Sequence, residues 1–454
     1  MSSAARIAAT TSSHNGRVIH GTCGWSDSGA PWYKAGKTAA ERLRVYSRHY
    51  GFGCVEVDTT CYSLKNPTTI QHWAAATPPG FTFHVKIFGF FPAQGGALQS
   101  LPRDLRGRVP SHASRTQGSK PPTAPTAMRH VRLSELPEAV VNELWRRFNA
   151  MLQPLVSTKK MGAVLVQFHT GFAPSKGAEA HVRWVRAHLR PDVKMAVEFR
   201  NRSWLDSKRH SPSSSLSSAP PHPPTSRLFH TCELLRDIGA KLVASDDLLH
   251  EVQQKDRFQR GLREGSARVR LAPVLRALPK KNGGDGEFAY CRVHRRHGTD
   301  RLMRPEEIQD WVSKLKQYAD VGNTNASAVG RGSSGPSSRN TGPVYFLWGT
   351  DHADQPIQNR RMLDAALPER MQYDWASQVR EIEARTPGSI RSMFAKAAQR
   401  QPRKASRKLP PPATERKNAA GSKRPVENSA KKLGSAQKRM KRGQLGIADF
   451  FRKR

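Results

Sequence analysis

Apolar and polar positions divide the chain into short β-rich runs, each followed by a loop or by a stretch with helical spacing. The runs are Val18 to Trp25, Cys54 to Tyr62, Phe81 to Phe88, Met161 to His169, Lys194 to Arg200, Ala240 to Asp247, Phe288 to His294 and Pro343 to Gly349. They are apolar at consecutive rather than alternate positions, the pattern of parallel strands covered on both faces. Helical spacing intervenes at Ala39 to Tyr50, Pro67 to Ala76, Ser134 to Leu152, Ala178 to Leu189, Phe229 to Ile238 and Pro305 to Tyr318. Eight strands alternating with helices are what closes a parallel barrel, so the pattern predicts an α/β fold, a TIM-like (β/α)8 barrel.

Three stretches break the rhythm: Ala93 to His130, Ser207 to Ser226 and Gly322 to Gly342, all rich in Gly, Pro, Ser or Thr. They are expected to be disordered surface insertions. The first two follow the third and fifth strands and so belong to the C-terminal face of the barrel, where substrates bind. The third precedes the last strand and belongs to the opposite face. The expected organisation is a disordered leader over 1–17, the barrel over 18–384, and a disordered basic tail over 385–454 that is too poor in apolar residues to offset its own ordering entropy.

Charge sharpens this picture. The chain has 75 Lys and Arg against 36 Asp and Glu, a formal charge of +39. Residues 401–454 contribute 17 basic and 3 acidic side chains, or +14, which leaves +25 (39 minus 14) on the first 400 residues. Polyanions such as nucleic acid, DNA among them, or acidic protein surfaces are therefore expected partners of the barrel as well as of the tail. Five cysteines form no Cys-x-x-Cys pair and are odd in number, which fits a reducing compartment. No apolar run approaches the roughly 18 residues that span a bilayer, so no membrane partner is expected.

The tail ends in Gln444-Leu445-Gly446-Ile447-Ala448-Asp449-Phe450-Phe451. In one helical turn Ile447, Phe450 and Phe451 share a face and make an apolar plug, with Gln444 offering a donor and an acceptor beside it. The spacing resembles the PIP box, the peptide with which replication and repair proteins dock on the PCNA sliding clamp, and it implies PCNA as a partner through these four residues. Lys423 and Arg424, followed by Lys438, Arg439, Lys441 and Arg442, resemble a bipartite nuclear import signal, which implies an import receptor and a nuclear location. Ser389 to Phe394 repeats the apolar half of the clamp motif, but Pro387 stands at the Gln position.

The strands themselves resemble the YecE-like family, domain of unknown function number 72. Gly21-Thr22-Cys23-Gly24-Trp25-Ser26 is similar to its opening motif, with Cys23 in place of Ser. Val55 to Tyr62 and Thr77 to Lys86 match its next two strand motifs, and Val197-Glu198-Phe199-Arg200-Asn201-Arg202-Ser203-Trp204 matches its Val-Glu-Phe-Arg-x-x-Ser-Trp segment. Gln167 to Phe172 departs from the family's Gln-hydrophobic-Pro-Pro, and no Gly follows His294. The resemblance implies a TIM-type barrel more firmly than a reaction.

In such a barrel, reacting groups lie at the C-terminal strand ends, which places Glu56, Asp58, Lys86, His169, Glu198, Arg200, Asp246, Arg292 and His294 around one mouth. Glu198, Glu56, Asp246 and His294 are the candidate catalytic groups, since carboxylates beside basic groups shuttle protons. His169, Glu198, Asp246 and His294 form a candidate site for a divalent Mg, Mn or Zn ion. Lys86, Arg200 and Arg292 suit a phosphate, and Trp25, Tyr62 and Trp204 suit a base or sugar ring. Equally, Glu198 and Arg200 point to one side of a strand and suffice for a buried ion pair, and strand-end aromatics suffice to close a core. No Walker, Gly-x-Ser-x-Gly or His-Glu-x-x-His motif is present. The expectation is a nuclear, clamp-tethered DNA-processing protein of replication or repair, a metal-assisted hydrolase of nuclease or glycosylase type on the barrel. Its rivals are a DNA-binding clamp adaptor without turnover and a carbohydrate or metabolite hydrolase with a regulatory tail.

Overall fold

A computed structural model describes residues 16–110, 129–205, 226–248, 268–270, 288–294, 302–324, 342–349 and 353–386. The basic tail beyond residue 386, including the clamp-like peptide and the import clusters, lies outside the described residues. So do most of the second and third predicted insertions.

All eight predicted strands form. β1 (Val18–Thr22), β2 (Cys54–Val57), β3 (Thr82–Lys86), β6 (Met161–Phe168), β7 (Lys194–Phe199), β8 (Ala240–Leu242), β9 (Ala244–Leu248), β11 (Ala289–His294) and β12 (Val344–Trp348) pair in parallel in the order β9-β11-β12-β1-β2-β3-β6-β7-β8. β8 and β9 stand at opposite ends of that order, yet Val243 alone separates them and its N–H donates to Val197 O at 2.9 Å. They are therefore the two halves of one bent strand that pairs with β7 on one side and β11 on the other, which closes a TIM-like barrel of eight. β10 (Arg268–Arg270) adds an antiparallel edge to β9.

Strand parity sorts the side chains. Tyr290 and Arg292 of β11, Glu56 of β2 and Glu198 of β7 meet inside the barrel, so their outward neighbours Val293, Val55, Val57 and Val197 pack under the helices. His84, Tyr290 and Tyr345 form a lower interior layer, with His84 edge-on to both tyrosines at 4.8 and 4.3 Å. β1 and β2 approach so closely that a Cβ on Gly21 would lie 2.4 Å from Cys54 O, so only glycine fits there.

The outer helices follow from their caps. Ala39–His49 starts at Thr38, whose hydroxyl accepts from Glu41 N while the Glu41 carboxylate accepts from Thr38 N. Pro67–Ala76 has Asn66 as N-cap and Pro at its first position, and the buried Lys160 ammonium donates to Ala74 O and Thr77 O at its C-terminal end. Glu138–Ser157, Lys176–His188, Arg227–Asp237 and Pro305–Thr324 complete the predicted set. Two further helices, Gln355–Ala366 and Trp375–Arg385, were not expected. Trp375 packs on Phe81 and its indole donates to Ser47 O at 2.6 Å, which covers the N-terminal strand ends.

Part of the first predicted insertion is built structure. β4 (Gly95–Ala97) pairs antiparallel with β5 (His130–Arg132), a short helix spans Arg103–Arg106, and Leu101, Leu105, Val109 and Val131 are buried. Four apolar side chains spaced among glycines and arginines gave too weak a pattern to be read as structure. No helix among the described residues is long and apolar enough to cross a membrane.

Candidate active site

The upper interior layer is an ion network centred on Arg292, whose side chain is fully buried. Its Nη2 and Nε donate to Glu56 Oε1 at 2.7 Å and Oε2 at 3.1 Å, and its Nη1 donates to Glu198 Oε2. Nη2 also lies 3.6 Å from Cys23 Sγ. Glu56 Oε2 accepts a second bond from Tyr290 Oη at 2.6 Å. Glu198 Oε1 accepts from Gln167 Nε2 at 2.8 Å and from Arg200 Nε at 3.2 Å. One planar guanidinium thus holds two carboxylates from strands on different sides of the barrel.

The two carboxylates hold protons very differently. Burial raises Glu56, Asp58 nearby adds to the rise, and Arg292 only partly offsets it, so Glu56 is pushed up to about 7. Burial also opposes the charge on Glu198, but Arg292, Arg200, Lys86 and the Gln167 amide outweigh it and hold Glu198 down at about 2. Burial works against the charge on Arg292 too, and Glu198 and Glu56 overcome it. Tyr290 and Cys23 are both driven well above their ordinary values, first by burial and then by Glu56, so the tyrosine remains a donor and the thiol remains protonated.

Beside this network lies a cavity of about 120 Å³ lined by Cys61, Lys86, Ile87, Gly89, Pro92, Ala93, Gln167 and His169. Lys86 ends β3, its ammonium lies 3.6 Å from Asp58 Oδ1, and its side chain is only 13% exposed. Burial lowers its proton affinity, but Asp58, Cys61 and Glu56 together reverse this, so it stays cationic. β2 runs into the turn Asp58–Cys61, where the Thr60 hydroxyl lies between Val57 O and Lys86 O, within hydrogen-bonding distance of both at 2.7 and 2.6 Å. That turn carries Cys61 to the cavity wall. His169 is exposed at the rim, and its Nδ1 accepts from Gly171 N at 3.1 Å, which places the proton of the neutral ring on Nε2.

The predicted site residues therefore separate into three groups. Glu56, Glu198, Arg200 and Arg292 come together, but as a buried network beneath the cavity, and Glu198 and Arg200 do form the strand-end ion pair. Lys86 and His169 line the cavity, and Tyr62 follows Cys61 with half of its surface exposed. The third group is elsewhere. Asp246 is paired in register with the outward Val293, and it accepts from the Trp311 indole of the covering helix at 3.1 Å. It thus sits on the outer face of the strand and joins neither the catalytic set nor the metal set. Trp25 and Trp204 are core residues rather than stacking platforms: their indoles donate to Ala39 O at 2.8 Å and Phe172 O at 2.7 Å, and Trp204 stacks on Phe199 at 4.3 Å. The His294 side chain lies outside the described residues. Among the described residues no three His, Cys, Asp or Glu side chains group to hold a metal ion. With Asp246 turned outward and both Glu198 oxygens bonded by Arg292, Gln167 and Arg200, the four expected ligands do not share a site.

Tyr290, Gln167, Cys23 and Cys61 belong to the site and were not singled out. Parity was the available signal for two of them, since Tyr290 lies two residues before Arg292 and Gln167 two before His169.

Residues 19–379 match the model of a family described as "Protein of unknown function DUF72", and the chain belongs to that family, as its strand motifs implied. It is 28% identical over 189 residues to UPF0759 protein YunF of Bacillus subtilis (strain 168), a match covering 41% of this chain and 52% of YunF. The chain thus spans about half the length of that curated relative. Solved structures similar to it include a DUF72 family protein from Enterococcus faecalis V583, 16% identical, covering 78% of this chain and 98% of that one with a TM-score of 0.47. Another is a DUF72 family protein from Thermotoga maritima MSB8, 18% identical, covering 76% and 99% with a TM-score of 0.44. Membership in the family assigns no reaction.

Proposed function

We propose that the protein hydrolyses nucleic acid at sites of replication or repair, with the barrel supplying the chemistry and the tail the address. The observation that carries the chemical half is the cavity itself, in which the cationic Lys86 lies beside Gln167 and His169, next to a carboxylate pair whose proton affinities are driven apart. Lys86 binds one anionic oxygen of the substrate and stabilises charge as it develops there. His169 gives or takes the proton at the leaving or attacking oxygen. Glu198, through Gln167, is a positioning residue. The basic excess of +25 outside the last 54 residues supports a polyanionic substrate, and the Gln444, Ile447, Phe450 and Phe451 spacing supports docking on the PCNA clamp. The import clusters support a nuclear location under this reading.

A second reading is a DNA-binding clamp adaptor without turnover, favoured by the complete burial of Glu56 and Glu198 and their full internal bonding. One assay separates the two. Purified protein is incubated with labelled single-stranded, duplex, flap and base-damaged DNAs, with Mg, Mn, Zn or chelator, beside Lys86→Met and His169→Ala. The hydrolase reading expects products that fall at least about hundredfold in both variants, the usual cost of a lost electrostatic or acid-base group. Binding without products in any of the three proteins leaves the adaptor. Turnover of sugar substrates with indifference to DNA moves the barrel to the metabolite hydrolases. A clamp pull-down unchanged by deletion of residues 444–451 removes the address.

A further inference from the structure

The hairpin that grows out of the cavity wall carries an arginine surface that the proposed reaction does not use. Gly89, Pro92 and Ala93 line the cavity, and Gly95 starts β4 directly after them. Between Gly95 and Pro110, and again between Arg129 and Arg132, every Lys or Arg is an arginine: Arg103, Arg106, Arg108, Arg129 and Arg132. The structure folds these two segments into one unit. Gly95 pairs with Arg132 and Ala97 with His130, Leu98 N donates to Arg129 O at 2.8 Å, and the Arg129 guanidinium donates to Pro110 O. Arg106 is fastened to Leu101 O at 2.9 Å and Gln99 O at 2.6 Å.

The acidic groups of this region are already engaged. Asp104 bonds Arg147 at 2.9 Å, Glu143 bonds both Arg146 and Arg147, and the Glu135 carboxylate accepts from Arg132 N at 2.8 Å. Arg103, Arg108 and Arg132 are exposed, so their charge faces solvent, and Arg132 pairs with Gly95, two residues beyond Ala93 of the cavity wall.

We infer that this hairpin is a second contact surface for the phosphodiester backbone, flanking the strand whose one reacting group enters the cavity. The inference rests on the nucleic-acid reading and adds where the rest of the polymer lies. A small anion needs only Lys86, whereas a polymer with regularly spaced phosphates reaches both. The exclusive use of arginine fits the two-pronged donation that guanidinium offers phosphate oxygens.

The test is anisotropy titration of labelled single-stranded and duplex DNA with the full chain and with the triple variant Arg103→Gln, Arg108→Gln, Arg132→Gln, from 0.05 to 1 M salt. The tail is present in both proteins and contributes equally. Each phosphate contact adds about 0.9 to the slope of log affinity against log salt. The variant is therefore expected to lower that slope by about 2 to 3 and to weaken binding about hundredfold at 0.1 M salt, with the difference closing near 1 M. Unchanged circular dichroism and melting confirm that exposed side chains alone were altered. Equal affinity and slope in the two proteins would overturn the hairpin surface while leaving the nucleic-acid reading intact. Absence of DNA binding by the unaltered chain would overturn both. Loss of binding to polyglutamate with DNA binding preserved would assign the surface to an acidic protein and overturn the inference.

Discussion

Replacing Arg292 by methionine keeps much of the volume and removes the guanidinium that bridges Glu56 and Glu198. Three donated bonds to the two carboxylates disappear, at 2.7 and 3.1 Å to Glu56 and the close contact to Glu198, and both acids remain fully buried. Truncating one partner of a buried, bonded ion pair costs roughly 3 to 5 kcal/mol, because the remaining charge must either stay uncompensated or take up a proton. Arg292 serves both acids, and Glu56 has no other bonded cation among the described residues, so the upper end of that range is expected at neutral pH. The melting temperature should then fall by roughly 10 °C or more. The pH dependence is the sharper test. In the variant Glu56, already raised by burial, loses the charge that lowers it and is raised further above its unfolded value, so the penalty is small below about pH 4 and grows as pH rises. Urea denaturation of both proteins at pH 4.5 and pH 8 measures this. A destabilisation under about 1 kcal/mol, or one equal at the two pH values, would refute the reading of Arg292 as the charge that makes this layer foldable.

Four further outcomes are expected. Glu56, raised from 4.5 to about 7, makes the folded state bind the extra proton, so stability should fall as pH rises between those values, and Glu56→Gln should flatten that limb. Glu198, lowered from 4.5 to about 2, contributes stability that is present above about 4.5 and lost as pH falls toward 2, and Glu198→Gln should remove that acid limb. Of the five thiols, four are buried and Cys61 alone is partly exposed on the cavity wall, so native protein should take up one equivalent of a thiol reagent, slowly, and five in denaturant. In clamp titrations by calorimetry, Phe450→Ala with Phe451→Ala should weaken binding at least about hundredfold, as loss of paired aromatic anchors does, and undiminished affinity would exclude the peptide as the docking element.

The barrel was legible because buried parallel strands read as continuous apolar runs, and all eight appear within a few residues of their expected bounds. The same property hid the site. With both faces apolar, the pattern does not say which side chains point inward, and Asp246 was placed at the mouth when its partner is Trp311 on the outside. Strand ends were overextended where polar turns begin, as at Asp58–Cys61, since a hydroxyl bridge such as Thr60 to Val57 O and Lys86 O leaves no mark on hydropathy. Trp25 and Trp204 illustrate the same limit: their indole donors meet backbone carbonyls contributed by segments 14 and 32 residues away. The helix Trp375–Arg385 was missed because its buried side chains, Trp375 and Val379, make a single narrow contact on an otherwise polar segment.

A buried ion network of this kind is not the most stable way to fill a barrel, because well-packed apolar side chains of similar volume often do as well or better. Its value must therefore lie in what it holds. Glu198 fixes the Gln167 amide at 2.8 Å, and Asp58 keeps the Lys86 ammonium charged at 3.6 Å, so the network sets the geometry of the two groups that face the cavity. This view predicts opposite responses to partial and complete removal. Arg292→Met alone should destabilise strongly, whereas the triple variant Glu56→Gln, Arg292→Met, Glu198→Leu, which removes all three charges of the bridge, should recover most of the lost melting temperature. Ligand binding and turnover should not recover with it, because Gln167 has lost its acceptor. Measuring both properties across the single and triple variants separates stability from positioning: if the recovered fold regains activity as well, the network is packing, and the chemistry of the cavity depends on Lys86 and His169 without it.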